Sequence, residues 1–271
     1  MTMETDAVSK HFEDLTVLQN VTLTFPNASI TAIVGPNGAG KTTLLNVMAG
    51  FLKPDNGFVY LIEDASALGR QEENHQLKRT NLSTMDPHDR ALHGLGVLFQ
   101  DIRVFKTLSA LENVAVARKS QIGEKLCNCF LRPRRVKAEE SQVLEDSLSF
   151  LDLVGMGSRA NVAALDFSYG EQKLIAFARL LAGNSKVMLL DEPTAGVNPE
   201  RIELPMGSIR DAAHQDGRTA VIVEHNLDVV RQFADWACLL VSGRIEDCGT
   251  PELLLRRSRT VFGECSATGQ G

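Results

Sequence analysis

Four stretches of the chain carry unbroken apolar runs bounded by turn residues: SITAIVG (Ser29 to Gly35), GVLFQ (Gly96 to Gln100), KVMLLDE (Lys186 to Glu192) and TAVIVEH (Thr219 to His225). Runs this short are strands rather than helices, and their continuity predicts strands covered on both faces, as in a parallel α/β sheet. VTLTF (Val21 to Phe25) alternates instead, which predicts a half-exposed antiparallel strand. From Glu139 to Val154 the period changes: Val143, Leu144, Leu148 and Leu151 form an apolar stripe, with Glu140, Glu145 and Asp146 elsewhere around the wheel. The pattern predicts a mostly helical insertion from Asp101 to Leu165 in an α/β core.

Two polar stretches, Leu68 to Arg90 and Cys129 to Glu140, read as insertions or surface. The end, ECSATGQG, is small and polar and reads as frayed. With 271 residues, 44% of them hydrophobic, the chain can build one large domain, or a core with an inserted subdomain. A net charge of −6 argues against an extended nucleic-acid footprint. MTMETDAVSK has no apolar centre of the secretory kind, and no apolar run approaches the roughly 20 residues of a membrane span. A membrane role is therefore expected to run through a partner. The five cysteines, Cys127, Cys129, Cys238, Cys248 and Cys265, show no zinc or disulfide spacing and read as free thiols.

The chemistry starts at GPNGAGKTT. Gly35, Gly40, Lys41 and Thr42 satisfy the G-x-x-x-x-G-K-[ST] spacing between a predicted strand and a predicted helix. Such glycines let backbone N–H groups curl around phosphate oxygens, and the helix start adds its dipole. Lys41 is placed to reach the terminal phosphates, and Thr42 to ligate Mg²⁺. This predicts a nucleoside-triphosphate site. VMLLDEP then ends a buried strand in two carboxylates, Asp191 for Mg²⁺ and Glu192 as base or orienter of the attacking water. His225 and Gln100 end two further strands, and strand ends on one sheet edge are where α/β folds place ligands. His225 is read as a γ-phosphate contact and Gln100 as a contact of Mg²⁺ or water.

With these residues in order, the sequence resembles the ATP-binding cassette family over essentially its whole length. The matches are GPNGAGKTT, Gln100 of the Q-loop, FSYGEQ as the signature, VMLLDEP, AGVNP as the D-loop, and EH at the switch histidine. The resemblance implies an α/β P-loop NTPase core with an antiparallel β subdomain and an inserted helical subdomain. It implies one ATPase domain over 1–263, with the core in 1–100 and 186–250, the helical subdomain in 101–185 and a flexible tail at 264–271. ATP and Mg²⁺ are the implied cofactors. Gly35, Pro36, Asn37, Gly38, Ala39, Gly40, Lys41, Thr42 and Thr43 would hold the nucleotide, with Phe12 stacked on adenine. Ser168, Gly170, Glu171 and Gln172 would complete the site of a second, head-to-tail cassette, and Asn198 would link the two sites.

Within the family, FQDIRVF, FLRPRRVKAEE, FSYGEQ in place of the common LSGGQ, and RTVFGE resemble subunits of branched-chain amino acid importers. That implies a peripheral location at the cytoplasmic face of the inner membrane. The implied partners are a second cassette, identical or not, integral permeases meeting a groove at Val104, Phe105 and Lys106, and indirectly a solute-binding protein. Exporter cassettes of the lipopolysaccharide type, soluble non-transport cassettes and a non-hydrolysing regulator are the alternatives. Three departures stand out: EHN in place of EHD, a longer segment from Gly69 to Met85 expected as a solvated loop, and IELPMGSIR. There Pro205 and Gly207 predict a kink or break after the D-loop.

Overall fold

The computed structural model describes residues 1–63, 77–118 and 133–257. Cys127, Cys129 and Cys265, the tail, the RTVFGE segment and residues 69–76 lie outside them. Two compact units are present, one formed by Met1–Val97, Lys186–Pro193 and the chain from Arg210, the other by Leu98–Ser185 and Thr194–Ile209.

The first unit contains two sheets. Strands β1 (Thr2–Phe12), β2 (Leu15–Phe25), β4 (Asn56–Glu63) and β5 (Lys78–Asn81) form an antiparallel sheet in the order β2-β1-β4-β5. Val21 to Phe25 alternates buried and exposed, as its pattern predicts. The second sheet runs β10 (Arg244–Gly249), β9 (Trp236–Val241), β3 (Ser29–Val34), β8 (Thr219–Val223), β7 (Val187–Asp191), β6 (Leu95–Leu98). β3 is parallel to β8 and β9, and β7 to β8, while β10 returns antiparallel to β9. Every residue of β3, β7 and β8 is buried, which is what their unbroken apolar runs require. Helix α1 (Lys41–Ala49) follows β3 and packs against β2, β7 and β8. Its Leu44, Leu45, Val47 and Met48 are fully buried, each contributing about 1.5–3 kcal/mol relative to exposure.

The polar stretch read as surface up to Arg90 is more ordered than expected. Lys78–Asn81 is an edge strand pinned by Arg79, which stacks 3.6 Å from the centre of the Tyr60 ring and pairs with Glu4. Helix α2 (Pro87–Leu92) then turns Arg90 inward, where it is 1% exposed. Its guanidinium donates to the carbonyls of Val47 and Met48 at 2.6 and 2.7 Å, closing the end of α1. Burial lowers the Arg90 pKa to about 10.

The second unit is helical. Helices α3 (Ala110–Ala115), α4 (Pro133–Leu153) and α5 (Tyr169–Ala182) pack pairwise against one another. The buried face of α4 is Val136, Val143, Ser147 and Leu151, whereas Leu144 and Leu148 are about 40% exposed. The predicted stripe was therefore rotated: Ser147 goes inside because its hydroxyl donates to the Val143 carbonyl at 2.6 Å. Nor does the chain break at Pro205. A 3₁₀ turn, Pro199–Arg201, precedes helix α6 (Glu203–His214), and Pro205 falls in the first turn, where its missing N–H is one of the donors no helix satisfies.

Candidate functional site

A cavity of about 280 Å³ in the first unit is lined by Val17, Asn37, Gly38, Gly40, Lys41, Thr42, Thr43, Glu192 and His225. Its floor is the turn between β3 and α1. Gly40 caps α1 in the left-handed region (φ 100°), and a Cβ there would stand 2.8 Å from the Val17 carbonyl. Backbone freedom and close approach both demand glycine. No side chain caps this helix start. Its N-terminus is thus open to an anion, reinforced by the helix dipole. Lys41 is 5% exposed and bends across the turn to donate to the carbonyls of Gly35 and Pro36, both at 2.8 Å. The ammonium therefore sits inside the loop of Gly35 to Gly40, whose Ala39 is buried.

The end of β7 meets this turn. The Thr42 hydroxyl donates to Asp191 Oδ1 at 3.3 Å, and Asp191 is 4% exposed. A hydroxyl beside a buried carboxylate is an oxygen donor set suited to a hard divalent cation, which keeps waters and phosphates as its other ligands. Glu192 follows in the left-handed region (φ 46°), held by its amide donating to the Val223 carbonyl at 2.9 Å. For a non-glycine residue this conformation costs about 1–2 kcal/mol, strain of the kind found at working sites. It brings Glu192 Oε1 to 2.9 Å from His225 Nε2. Glu224, 3% exposed, accepts the amides of His225 and Asn226 at 3.1 and 3.3 Å and so fixes the turn that carries the histidine. The sequence reading missed Glu224, although an acid ending an apolar strand was a visible signal. It also missed Val17, which nothing in its strand distinguishes.

Phe12 does not line the cavity. It ends β1 opposite Leu15, is 43% exposed, and has the Lys10 ammonium 5.6 Å from its ring centre. Asp55 fastens this strand end through the Lys10 ammonium (2.8 Å) and the His11 amide (2.6 Å). Those contacts, the Lys10 bond first, lower its pKa to about 2.

In the second unit Ser168 starts α5 with a reciprocal cap. Its hydroxyl donates to Glu171 Oε2 at 2.9 Å and accepts the Glu171 amide, while the Ser168 amide donates back to Oε2 at 3.0 Å. Burial raises the Glu171 pKa, but Ser168, Arg159 and Arg201 outweigh it and leave the carboxyl below its ordinary value. Gln172 Nε2 donates to the carbonyls of Ala164 and Phe167. Gly170 has the Gly196 carbonyl 2.7 Å from where a Cβ would be. Tyr169 lays its ring along Gly196 and donates its hydroxyl to the Gln100 carbonyl at 2.9 Å, and buried Lys173 donates to the Ala195 carbonyl at 2.8 Å. Gln100, Ser168, Gly170 and Asn198 are thus tied into one cluster of turns, Asn198 capping the Pro199 turn through the Glu200 amide. Asn113, fully buried, braces the chain after Gln100 by accepting the Phe105 amide and donating to its carbonyl.

The ABC transporter family matches residues 18–195, a span that takes in the phosphate turn, the capped serine turn and the paired carboxylates.

The chain belongs to the ABC transporter family.

The ABC chain is 28% identical to the high-affinity branched-chain amino acid transport ATP-binding protein LivG of Salmonella typhimurium, over 89% of this chain and 88% of that one. Among solved structures it resembles the ADP conformation of an ATP-binding cassette of an ABC transporter, with TM-score 0.73, 27% identity, and coverage of 96% and 97%. It also resembles a dimeric post-hydrolysis cassette bound to ADP and Pi, with TM-score 0.70, 26% identity, and coverage of 92% and 98%. The ABC chain is accordingly a nucleotide-binding ATPase of P-loop α/β fold and an ATP-binding subunit of the transporter type. The departure at EHN has a plain local role: Asn226 caps helix α7 (Leu227–Phe233), accepting the amides of Asp228 and Val229.

Proposed function

We propose that this chain powers an importer of small polar solutes of the branched-chain amino acid class, closing on a second cassette with ATP between them. The observation that carries the proposal is the Glu192–His225 pair on the wall of the cavity that also holds Lys41 and Thr42. Lys41 and the N-terminus of α1 bind the phosphates. Thr42 and Asp191 hold Mg²⁺, which supplies charge neutralisation at the phosphate oxygens when bound. Glu192 accepts a hydrogen bond from water and orients it in line with the γ-phosphorus. The new P–O bond forms as the bond to the β-phosphate oxygen breaks, leaving ADP and phosphate. His225 steadies Glu192 and meets the γ-phosphate. Gln100 would contact the cation or the attacking water, and Phe12 contacts adenine from the strand end.

Across the dimer, Ser168, Gly170, Glu171 and Gln172 face the partner's nucleotide, and Asn198 links the two sites. The solute class is supported by the likeness to LivG over nine-tenths of the chain. Among the described residues no helix is long and apolar enough to cross a membrane. Coupling runs through permease subunits docked on the exposed surface at Phe105, at the cytoplasmic face of the inner membrane, with a solute-binding protein acting from the other side. The test is a tagged pull-down from detergent-solubilised host membranes. Multi-spanning permeases and a second cassette should co-purify. Recovery without any integral membrane protein would refute the transport reading and leave ATP hydrolysis standing.

A further inference from the structure

The β9–β10 hairpin sets Cys238 directly opposite Cys248. The one irregularity of its ladder falls between Ile245 and Asp247, so the register at the two cysteines is regular. Opposed residues of an antiparallel pair have Cα atoms about 4.5 or 5.5 Å apart, and disulfides span about 4.4–6.8 Å. Both cysteines are free, Cys238 being buried and Cys248 exposed. The neighbouring Cys238 thiol lowers the pKa of Cys248, against burial and the nearby Asp247, while Cys248 and burial raise that of Cys238. The exposed sulfur is therefore the one that an external oxidant reaches and the first of the two to ionise, with the buried one directly across the ladder from it.

We propose that Cys238 and Cys248 form a reversible dithiol–disulfide site for two-electron oxidants of the hydroperoxide class. The Cys248 sulfur attacks a peroxide oxygen, the O–O bond breaks, and the leaving oxygen departs protonated, giving a sulfenic acid. The Cys238 sulfur then displaces that hydroxyl: the S–S bond forms, the S–O bond breaks, and the Cys238 proton leaves in water. Two thiols are oxidised while the peroxide is reduced to an alcohol, or to water from hydrogen peroxide, with a further water released. Attack by an external thiol reverses the bond.

The hairpin is joined to the phosphate turn. Cys238 pairs with Ile33 of β3 and Leu239 with Val34, and the Leu240 carbonyl lies 2.0 Å from where a Gly35 Cβ would be. The hairpin turn donates from the Gly243 amide to the Ala39 carbonyl at 3.0 Å. Cys238 also belongs to the apolar cluster that contains Ala39, Leu44 and Leu45. A cross-link at Cys238 thus acts on the strand and turn that seat the nucleotide loop, and the two redox forms differ in nucleotide affinity.

The experiment treats the folded full chain with hydrogen peroxide, blocks remaining thiols with N-ethylmaleimide, and maps peptides without reduction. A Cys238–Cys248 linked peptide, two hydrogens lighter than its parts and lost on dithiothreitol treatment, is expected. ADP affinity should shift between oxidised and reduced protein, and the shift should vanish in Cys248→Ser, a substitution at an exposed position that keeps the fold even if Cys238→Ala does not. Sulfinic acid at Cys248 beside an alkylatable Cys238, or linkage to another cysteine, would overturn the site. A formed disulfide with unchanged ADP affinity would overturn its coupling to the loop.

Discussion

Glu192 works from a backbone conformation that a side chain resists, so its stability effects should run opposite to those at an ordinary position. Replace it by Ala and by Gly. Both variants lose the His225 partner, a partly exposed pair worth about 0–1 kcal/mol, and that loss cancels in the comparison. Ala keeps the left-handed strain of about 1–2 kcal/mol at φ 46° and Gly removes it. Gly gives back about 0.5–1 kcal/mol through the greater freedom of its unfolded chain. Glu192→Gly should therefore exceed Glu192→Ala in stability by about 0.5–1 kcal/mol. Gly207 lies within α6, is not in the left-handed region, and has no atom within 4 Å of an added Cβ. There Gly207→Ala should gain about 0.5–1 kcal/mol, with Ala now the better residue. Urea unfolding of the variants measures all three. Phosphate release by both Glu192 variants should fall by about 10²–10⁴. Equal or greater stability of Glu192→Ala over Glu192→Gly would refute the strain argument, whatever the activities.

Lys41→Ala removes the ammonium from the loop, a contact with phosphate of about 2–4 kcal/mol, so ATP affinity by calorimetry should fall at least about 30-fold; unchanged affinity would reject the phosphate-loop assignment. Gly170→Ala puts a Cβ 2.7 Å from the Gly196 carbonyl and must displace that turn. It should leave ADP binding to the isolated chain intact while abolishing ATP-dependent dimerisation on size exclusion. Because the Glu171 carboxyl is held below its ordinary value, the stability it adds is fully present above about pH 4.5 and is lost as pH falls through the folded value. Wild type should exceed Glu171→Gln in thermal midpoint at pH 7 and converge with it in acid; a gap that widens in acid would contradict the capping role.

The parallel sheet was legible because β3, β7 and β8 are buried on both sides, and double burial leaves an unbroken apolar run as its trace. The phosphate turn was legible because backbone approach demands glycine at fixed spacing. Other features depend on partners far along the chain and leave no local trace. Lys78–Asn81 reads as solvated loop, since the partners that make a polar strand worth forming, Tyr60, Glu63 and Glu4, lie on other strands of the sheet. Arg90 reads as surface, since the carbonyls that receive it belong to α1. The α4 stripe was misjudged because an intrahelical bond lets Ser147 go inside. Cys238 and Cys248 look unrelated until the hairpin register makes them neighbours.

The reciprocal cap at Ser168 has a consequence for the timing of the cycle. In the single chain that hydroxyl already has an acceptor, the Glu171 carboxylate. On the proposed arrangement it can serve a partner's phosphate only by releasing that carboxylate, so closure exchanges one charge-assisted bond for another of similar strength. An exchange of this kind favours assembly only weakly at that contact, and when phosphate leaves, Glu171 is at hand to take the hydroxyl back. The signature turn would then behave as a returnable grip, and the two cassettes could separate as readily as they had met.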